Sequence, residues 1–250
     1  MSKKYINSPE IPGRSLKATQ KMCLARLLDL AGDYLRDGYT YAPKTYTFED
    51  DPPAAPPQEA SLSLEALNQA IQQCQECPLH RGRNQAVPGE GVLHPAVLVI
   101  GEGPGADEDA SGRPFVGKAG QLLERMLGAV DLSRETNCFI ANVVKCRPPH
   151  NRDPLPEEIA ACAPFLDRQL ALLKPRMILG LGRVAMQTLL RTDEGIGQLR
   201  GKVMAYQGVP LLGTYHPSAL LREASLKRAA WEDLKLLRDR LTALPTQGPA

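Results

Sequence analysis

Apolar residues recur at helical spacing from Ser15 to Asp37, where Leu16, Leu24, Leu27, Leu28, Ala31 and Leu35 form a stripe and Gly38 follows as a stop. The pattern then lapses. DPPAAPPQEAS, from Asp51 to Ser61, contains four prolines that support neither a helix nor an interior strand, so it reads as a linker. Residues 1–60 are therefore expected to be a partly disordered appendage, a helix plus a Pro-rich linker. The main domain is expected over 61–245, with a disordered tail at 246–250.

From Ser63 onward the hydrophobic period switches repeatedly between helix and strand. Leu64, Leu67 and Ile71 share one helical face. Ala96–Ile100 reads as a buried strand, Gln121–Val130 as a helix and Asn137–Val144 as a strand. Leu155–Leu173 reads as a helix, with Pro156 near its start and Glu157 and Glu158 in its first turn. RMILGLG and RVAMQTLL give another strand and helix, and KVMAYQGVPLLGTYHPS gives two strands turning at Gln207–Gly208. The last helix spans about Ser225 to Leu244, with Trp231, Leu234, Leu237 and Leu241 on one stripe. Such alternation predicts an α/β fold, a mainly parallel central sheet flanked by helices on both faces. Ligands of such folds bind beyond the carboxyl ends of the strands. The segments GEGPGADEDASGRPFVGKAG, NVVKCRPP and TYHPS all leave strands at such ends.

Charge changes the picture little: the net charge is only +2. Nucleic acid would have to meet a local basic face. Lys145, Arg147, Arg152, Arg183, Arg200, Lys202, Arg222, Lys227 and Arg228 read either as such a face or as an ordinary solvated surface. No apolar run is long enough for a membrane span, and the N-terminal residues lack the apolar core of a secretory signal. The expected compartment is the cytoplasm, where disulfides are rare, so the six cysteines need another role.

Cys138 alternates with apolar residues in a strand, and Cys23 falls in the appendage helix. Both read as small buried hydrophobes. Cys74 and Cys77 form a C-x-x-C pair in a polar stretch, and Cys146 lies between a lysine and RPPHNR. With Cys162 they make a candidate metal-ligand set, whose spacing leaves zinc and an iron–sulfur cluster both open.

The glycine-rich loop from Gly101 lacks both the dinucleotide spacing and the lysine of a phosphate loop. Its acids, Glu102, Asp107, Glu108 and Asp109, would repel phosphate but could position a water. Phe115 offers either a loop anchor or a flat surface for a ring. Asn142 ends a strand and reads either as a turn residue capping it, the commoner role, or as a donor and acceptor side by side that match a pyrimidine edge. His216 shares that rim. Leu220, Leu221 and Arg222 read either as a packed loop or as a wedge for a duplex.

Together these segments resemble the family-4 uracil-DNA glycosylases, the iron–sulfur type of bacteria and archaea. The matching stretches are CQECPLHRGRNQAVPGEG, GEGPGADEDASGRPFVGKAGQLL, NVVKCRPPHNRDPLPEEIAAC, LGLGRVAMQTLL, LRG and TYHPSALLR, in the family's order, over roughly Leu64 to Leu244. The resemblance implies a glycosylase that releases uracil from single- or double-stranded DNA; a monomer is expected. It implies a structural [4Fe–4S] cluster on Cys74, Cys77, Cys146 and Cys162. It also implies that uracil stacks on Phe115, that Asn142 reads its edge and that His216 stabilises the leaving anion. Gly103 stands where a related family carries a catalytic aspartate, so the attacking water would fall to Glu102, Glu108 or Asn151. Arg147, Arg152, Ser218, Leu220, Leu221 and Arg222 would face DNA. Competing expectations are a broader-range base glycosylase of family 5, which carries GLAPG where this chain has GEGPG, and a non-catalytic iron–sulfur protein that binds DNA damage.

Overall fold

The computed structural model describes residues 63–244, and Ala25 and Leu28 further upstream. Backbone contacts divide the chain into two units, Met1–Pro56 and Pro57–Ala250; the second carries the fold. The Pro-rich stretch, Cys23 and the tail lie outside the described residues, as does the Ser15–Asp37 stripe apart from those two helical positions.

The main unit opens with α1, Leu64–Gln73. The Ser63 hydroxyl accepts the Ala66 N–H at 3.2 Å and so caps the helix. There follow β1 (Glu90–Gly91), β2 (Val97–Gly101), α2 (Ala106–Ser111), α3 (Lys118–Gly128), β3 (Cys138–Asn142) and α4 (Pro156–Leu173). The chain continues through β4 (Met177–Leu181), α5 (Gly182–Leu190), α6 (Ile196–Leu199), β5 (Val203–Tyr206), β6 (Val209–Thr214), α7 (Pro217–Arg222) and α8 (Leu226–Ala243). The order in the six-stranded sheet is β1-β3-β2-β4-β6-β5. The central pairs β3–β2, β2–β4 and β4–β6 are parallel, and the two edges are antiparallel.

Successive strand residues enter different clusters. Leu98 and Ile100 of β2 pack with Leu67 and Ile71 of α1 and with Leu166 and Leu170 of α4. Val97 and Val99 pack with Leu123 and Leu127 of α3 and with Leu234 and Leu237 of α8. Because both side-chain sets of β2 are buried, the strand reads as a continuous apolar run rather than an alternating one. Each fully buried Leu or Ile contributes roughly 1.5–3 kcal/mol, so these central strands form a stiff base for the loops beyond Gly101, Asn142, Leu181 and Thr214.

Several details depart from the sequence reading. The glycine-rich segment is not all loop, since α2 forms within it. Its first turn holds Asp107, Glu108 and Asp109, where the helix dipole favours acids. The short edge strand β1 was not expected. Trp231 is 40% exposed, and the buried stripe of α8 is Ala230, Asp233, Leu234, Leu237 and Leu241. Two members of the supposed basic face are not surface cations. Lys145 is 1% exposed. Arg200 forks onto Asp233, which also accepts the Thr214 hydroxyl, tying β6 to α8.

Candidate active site and cysteine cradle

One cavity of about 520 Å³ opens where the parallel strands end. The segment after β2 supplies Glu102 and Gly103, the end of β3 supplies Asn142, the start of α5 supplies Gly182 and Arg183, and the segment after β6 supplies Tyr215 and His216. Phe115, Glu108, Asn151, Arg152, Asp153, Ser218 and Arg222 complete much of the wall. Phe115, Asn142 and His216 thus line a single space. Two glycines make the convergence possible. A Cβ on Gly101 would sit 2.5 Å from both Phe115 Cζ and Asn142 Oδ1. Gly182 has φ +85°, and a Cβ there would lie 2.7 Å from His216 Cβ.

The Phe115 ring centroid is 5.6 Å from that of His216, at an interplanar tilt of 35°. Asn142 is 1% exposed, and its Oδ1 is buried with no hydrogen-bond partner. A buried acceptor left unmet costs about 1–3 kcal/mol. His216 caps α7: its Nδ1 accepts the Ser218 backbone N–H at 3.2 Å and lies 2.8 Å from the Ser218 hydroxyl. A ring nitrogen that accepts carries no proton, so the proton of the neutral imidazole sits on Nε2. Burial, then the Arg222 cation, push the imidazolium pKa down to about 4, against a smaller opposing pull from Glu108. The ring is neutral at physiological pH.

The three candidates for holding a water differ sharply. Glu108 is committed to backbone: its Oε1 accepts the Val116 and Gly117 N–H groups and its Oε2 accepts the Gly105 N–H, each at 3.0 Å. Asn151 Oδ1 accepts Arg147 Nε at 2.8 Å. Glu102 is half-buried, and among the described residues no donor reaches its carboxylate. Burial, with the Asp153 carboxylate beside it, raises its pKa to about 6, opposed by Arg183. Asp109 of the same loop is buried and accepts both the backbone and side-chain N–H of Asn84, so it fastens the loop rather than serving the cavity.

The expected DNA-facing residues also divide. Leu220 is 2% exposed and belongs to the core, where it anchors α7; it is no wedge. Leu221 is 48% exposed. Arg152 forks onto Glu158 at 2.8 and 2.7 Å, which occupies its guanidinium. Ser218 serves His216 directly. Arg147 borders a separate depression with Pro149 and His150. Sequence reasoning missed Asp153 and Tyr215, and it read Arg183 only as a surface cation. Asp153 and Arg183 are ion-paired beside Glu102. The signal for Asp153 was its place two residues beyond Asn151 in a segment already singled out.

Cys74, Cys77, Cys146 and Cys162 line one small recess, with His80, Arg83 and Lys145. Arg83 Nη1 lies 3.0 Å from Cys146 Sγ, and the Lys145 backbone N–H donates to Cys162 Sγ at 3.3 Å. Burial pushes the Cys162 thiol up to about 11. No group of three or more His, Cys, Asp or Glu among the described residues is arranged to hold a single metal ion. Four thiols line one recess and two of them, Cys146 and Cys162, meet N–H donors, a donor set that suits an iron–sulfur core. Cys138 sits in β3 with its thiol pushed up to about 12 by burial, as a core residue should.

An aromatic ring, a buried amide and a neutral imidazole thus line one concave pocket beyond the ends of the parallel strands, the kind of place where small-molecule sites form. A family model described as the uracil DNA glycosylase superfamily matches residues 88–235. A type-4 uracil-DNA glycosylase of Pyrobaculum aerophilum is 45% identical over 185 residues, 70% of this chain and 93% of that protein. One from Thermotoga maritima is 42% identical over 176 residues, 69% of this chain and 91% of the relative. A type-5 uracil-DNA glycosylase of Pyrobaculum aerophilum is 33% identical over 150 residues, 54% and 66% of the two chains. The chain belongs to the uracil-DNA glycosylase superfamily, in its type-4 branch.

Proposed function

We propose that this chain swings uracil out of DNA and hydrolyses its N-glycosidic bond, releasing free uracil and leaving an abasic site. The observation that carries the reading is the unpartnered Asn142 Oδ1, buried beside the Phe115 ring. Uracil offers an N3–H donor there, whereas cytosine offers a lone pair. The amide N–H would meet O4, and the ring would stack on Phe115.

Cleavage moves the N1–C1′ electron pair onto the departing uracil while the sugar becomes oxocarbenium-like. His216 Nε2–H donates to O2, where the negative charge gathers. A neutral donor suits this task because it holds its proton. Glu102, which no donor among the described residues satisfies, is the group we assign to the attacking water: its carboxylate accepts the water proton as the oxygen bonds to C1′. Burial first, then Asp153 against Arg183, tune its protonation. Extrusion of the base costs a few kcal/mol, least from mismatches and single strands. Arg147, Leu221 and Arg222 would meet the DNA, with Arg152 and Leu220 holding their loops in place.

Cys74, Cys77, Cys146 and Cys162 would hold a [4Fe–4S] cluster, which fastens distant segments together and takes no part in the cleavage. The two apolar clusters on alternate strand residues support a three-layer α/β/α reading. Residues 1–60, a helix plus the Pro-rich linker, would be an appendage to this catalytic unit, and no helix among the described residues is long and apolar enough to cross a membrane. A uracil-containing oligonucleotide tests the function: free uracil and an alkali-labile site are expected, and intact DNA after prolonged incubation would refute it.

A further inference from the structure

Phe115 holds φ at 52°, in the left-handed region. A bulky residue there costs roughly 1–3 kcal/mol and persists only where its surroundings over-determine it. The surroundings here are two charged side chains that grip the peptide units on either side. Glu108 takes the N–H groups of Val116 and Gly117. Arg134 takes the carbonyls: Nη1 donates to Pro114 O at 2.9 Å and Nη2 to Phe115 O at 3.1 Å. The fit is closed from behind by α3, where a Cβ on Gly120 would lie 1.9 Å from Phe115 O.

Arg134 lies in the segment between α3 and β3 and does not line the cavity. It is 8% exposed. Its Nε donates to Glu124 Oε1 of α3 at 2.6 Å, and its Nη1 to Glu90 Oε2 of β1 at 3.1 Å. Two carboxylates therefore balance its charge while its fork points at two consecutive carbonyls. A guanidinium presents donors in a rigid plane and can serve both, whereas an ammonium on a flexible stem cannot hold that geometry.

The geometry points to Arg134 as the positioning residue for the base-stacking ring. It locks the strained Phe115 backbone so that the ring lies flat in the cavity before DNA arrives. This rests on the reading of Phe115 as the floor for uracil. It touches neither substrate nor water, so its whole effect should pass through Phe115.

The test is a double-mutant cycle on the full chain, read by kcat/KM for uracil release from a uracil-containing oligonucleotide. Arg134→Lys keeps a cation between Glu90 and Glu124 and so protects the fold, but loses the fork. It should lower kcat/KM on the order of tenfold or more, as misplaced binding groups do. In a Phe115→Ala background the same change should cost nothing further, because coupled residues are non-additive. An equal loss in both backgrounds, or wild-type kcat/KM in Arg134→Lys, would overturn the proposal. A crystal structure of the Arg134→Lys protein gives a readout independent of turnover. Phe115 should relax to negative φ; an unchanged 114–117 backbone counts against the clamp. If the parent protein released no uracil, the reading of the pocket would fall, while the backbone readout would still decide whether Arg134 holds Phe115.

Discussion

The backbone N–H of Ser218 donates to Nδ1 of His216 across 3.2 Å, and this one contact fixes which ring nitrogen can donate to a ligand. A hydrogen-bond donor aimed at developing charge is worth on the order of a hundredfold or more in rate. His216→Ala should therefore lower single-turnover uracil release by that order with little change in DNA binding. A wild-type rate would remove the histidine from the chemistry.

Glu102 gives the pH dependence its sign. Its carboxyl is raised to about 6, and the proposed base is the ionised form. The kcat/KM profile should fall as pH drops through about 6 and level off above it, since this parameter reports the free enzyme. Protonation of His216 comes only near 4 and leaves its Nε2–H in place, so the limb near 6 is not its doing. Glu102→Gln should lower the rate by about 10²–10⁴-fold and flatten the limb near 6. Persistence of that limb in the variant would assign it to another group.

The same depressed histidine has a consequence for stability. Unfolded, His216 takes up a proton near its ordinary value of 6.5; folded, it resists until about 4. Its contribution is thus present above 6.5 and is lost as pH falls toward 4. Replacing His216 with Asn should reduce the loss of melting temperature over that window. An unchanged pH slope would show that other groups govern it.

Asn142 separates function from stability. Its Oδ1 has no partner among the described residues, and the proposed partner is the N3–H of uracil. Asn142→Ala should reduce kcat/KM by roughly ten- to a hundredfold, the equivalent of about 1–3 kcal/mol, while the melting temperature stays near the parent value. A large drop in stability would mean that the amide serves the fold.

The fold was legible because the central strands are apolar on both sides and the helices carry single stripes. The turn at Gln207–Gly208 was legible too: both residues have positive φ, 47° and 82°, as a tight hairpin requires. What was hidden depends on tertiary pairing. Lys145 and Arg200 look like surface cations until Gln169 and Asp233 meet them in the interior. Glu108 reads as a catalytic acid in a line of letters, and only the folded loop shows three amides spending its lone pairs. Leu220 and Leu221 are adjacent and chemically alike, but a short helix turns one inward and the other out. Arg134 carries no motif at all; its meaning lies in two carbonyls about twenty residues away.

The cysteine cradle predicts a chemical and a mechanical effect together. Cys146→Ser should lose bound iron and lower the melting temperature, because the neighbouring Lys145 Nζ donates to the Asn142 carbonyl at 2.8 Å. Loss at one end should loosen the other. Full iron content in Cys146→Ser would remove this residue from the ligand set.

The most direct measurement is a crystal structure of the iron-loaded protein with free uracil. The ring should lie on Phe115, with N3–H within hydrogen-bonding reach of Asn142 Oδ1 and O2 facing His216 Nε2. Uracil seated elsewhere, or seated here with the Asn142 oxygen still unmet, would contradict the account.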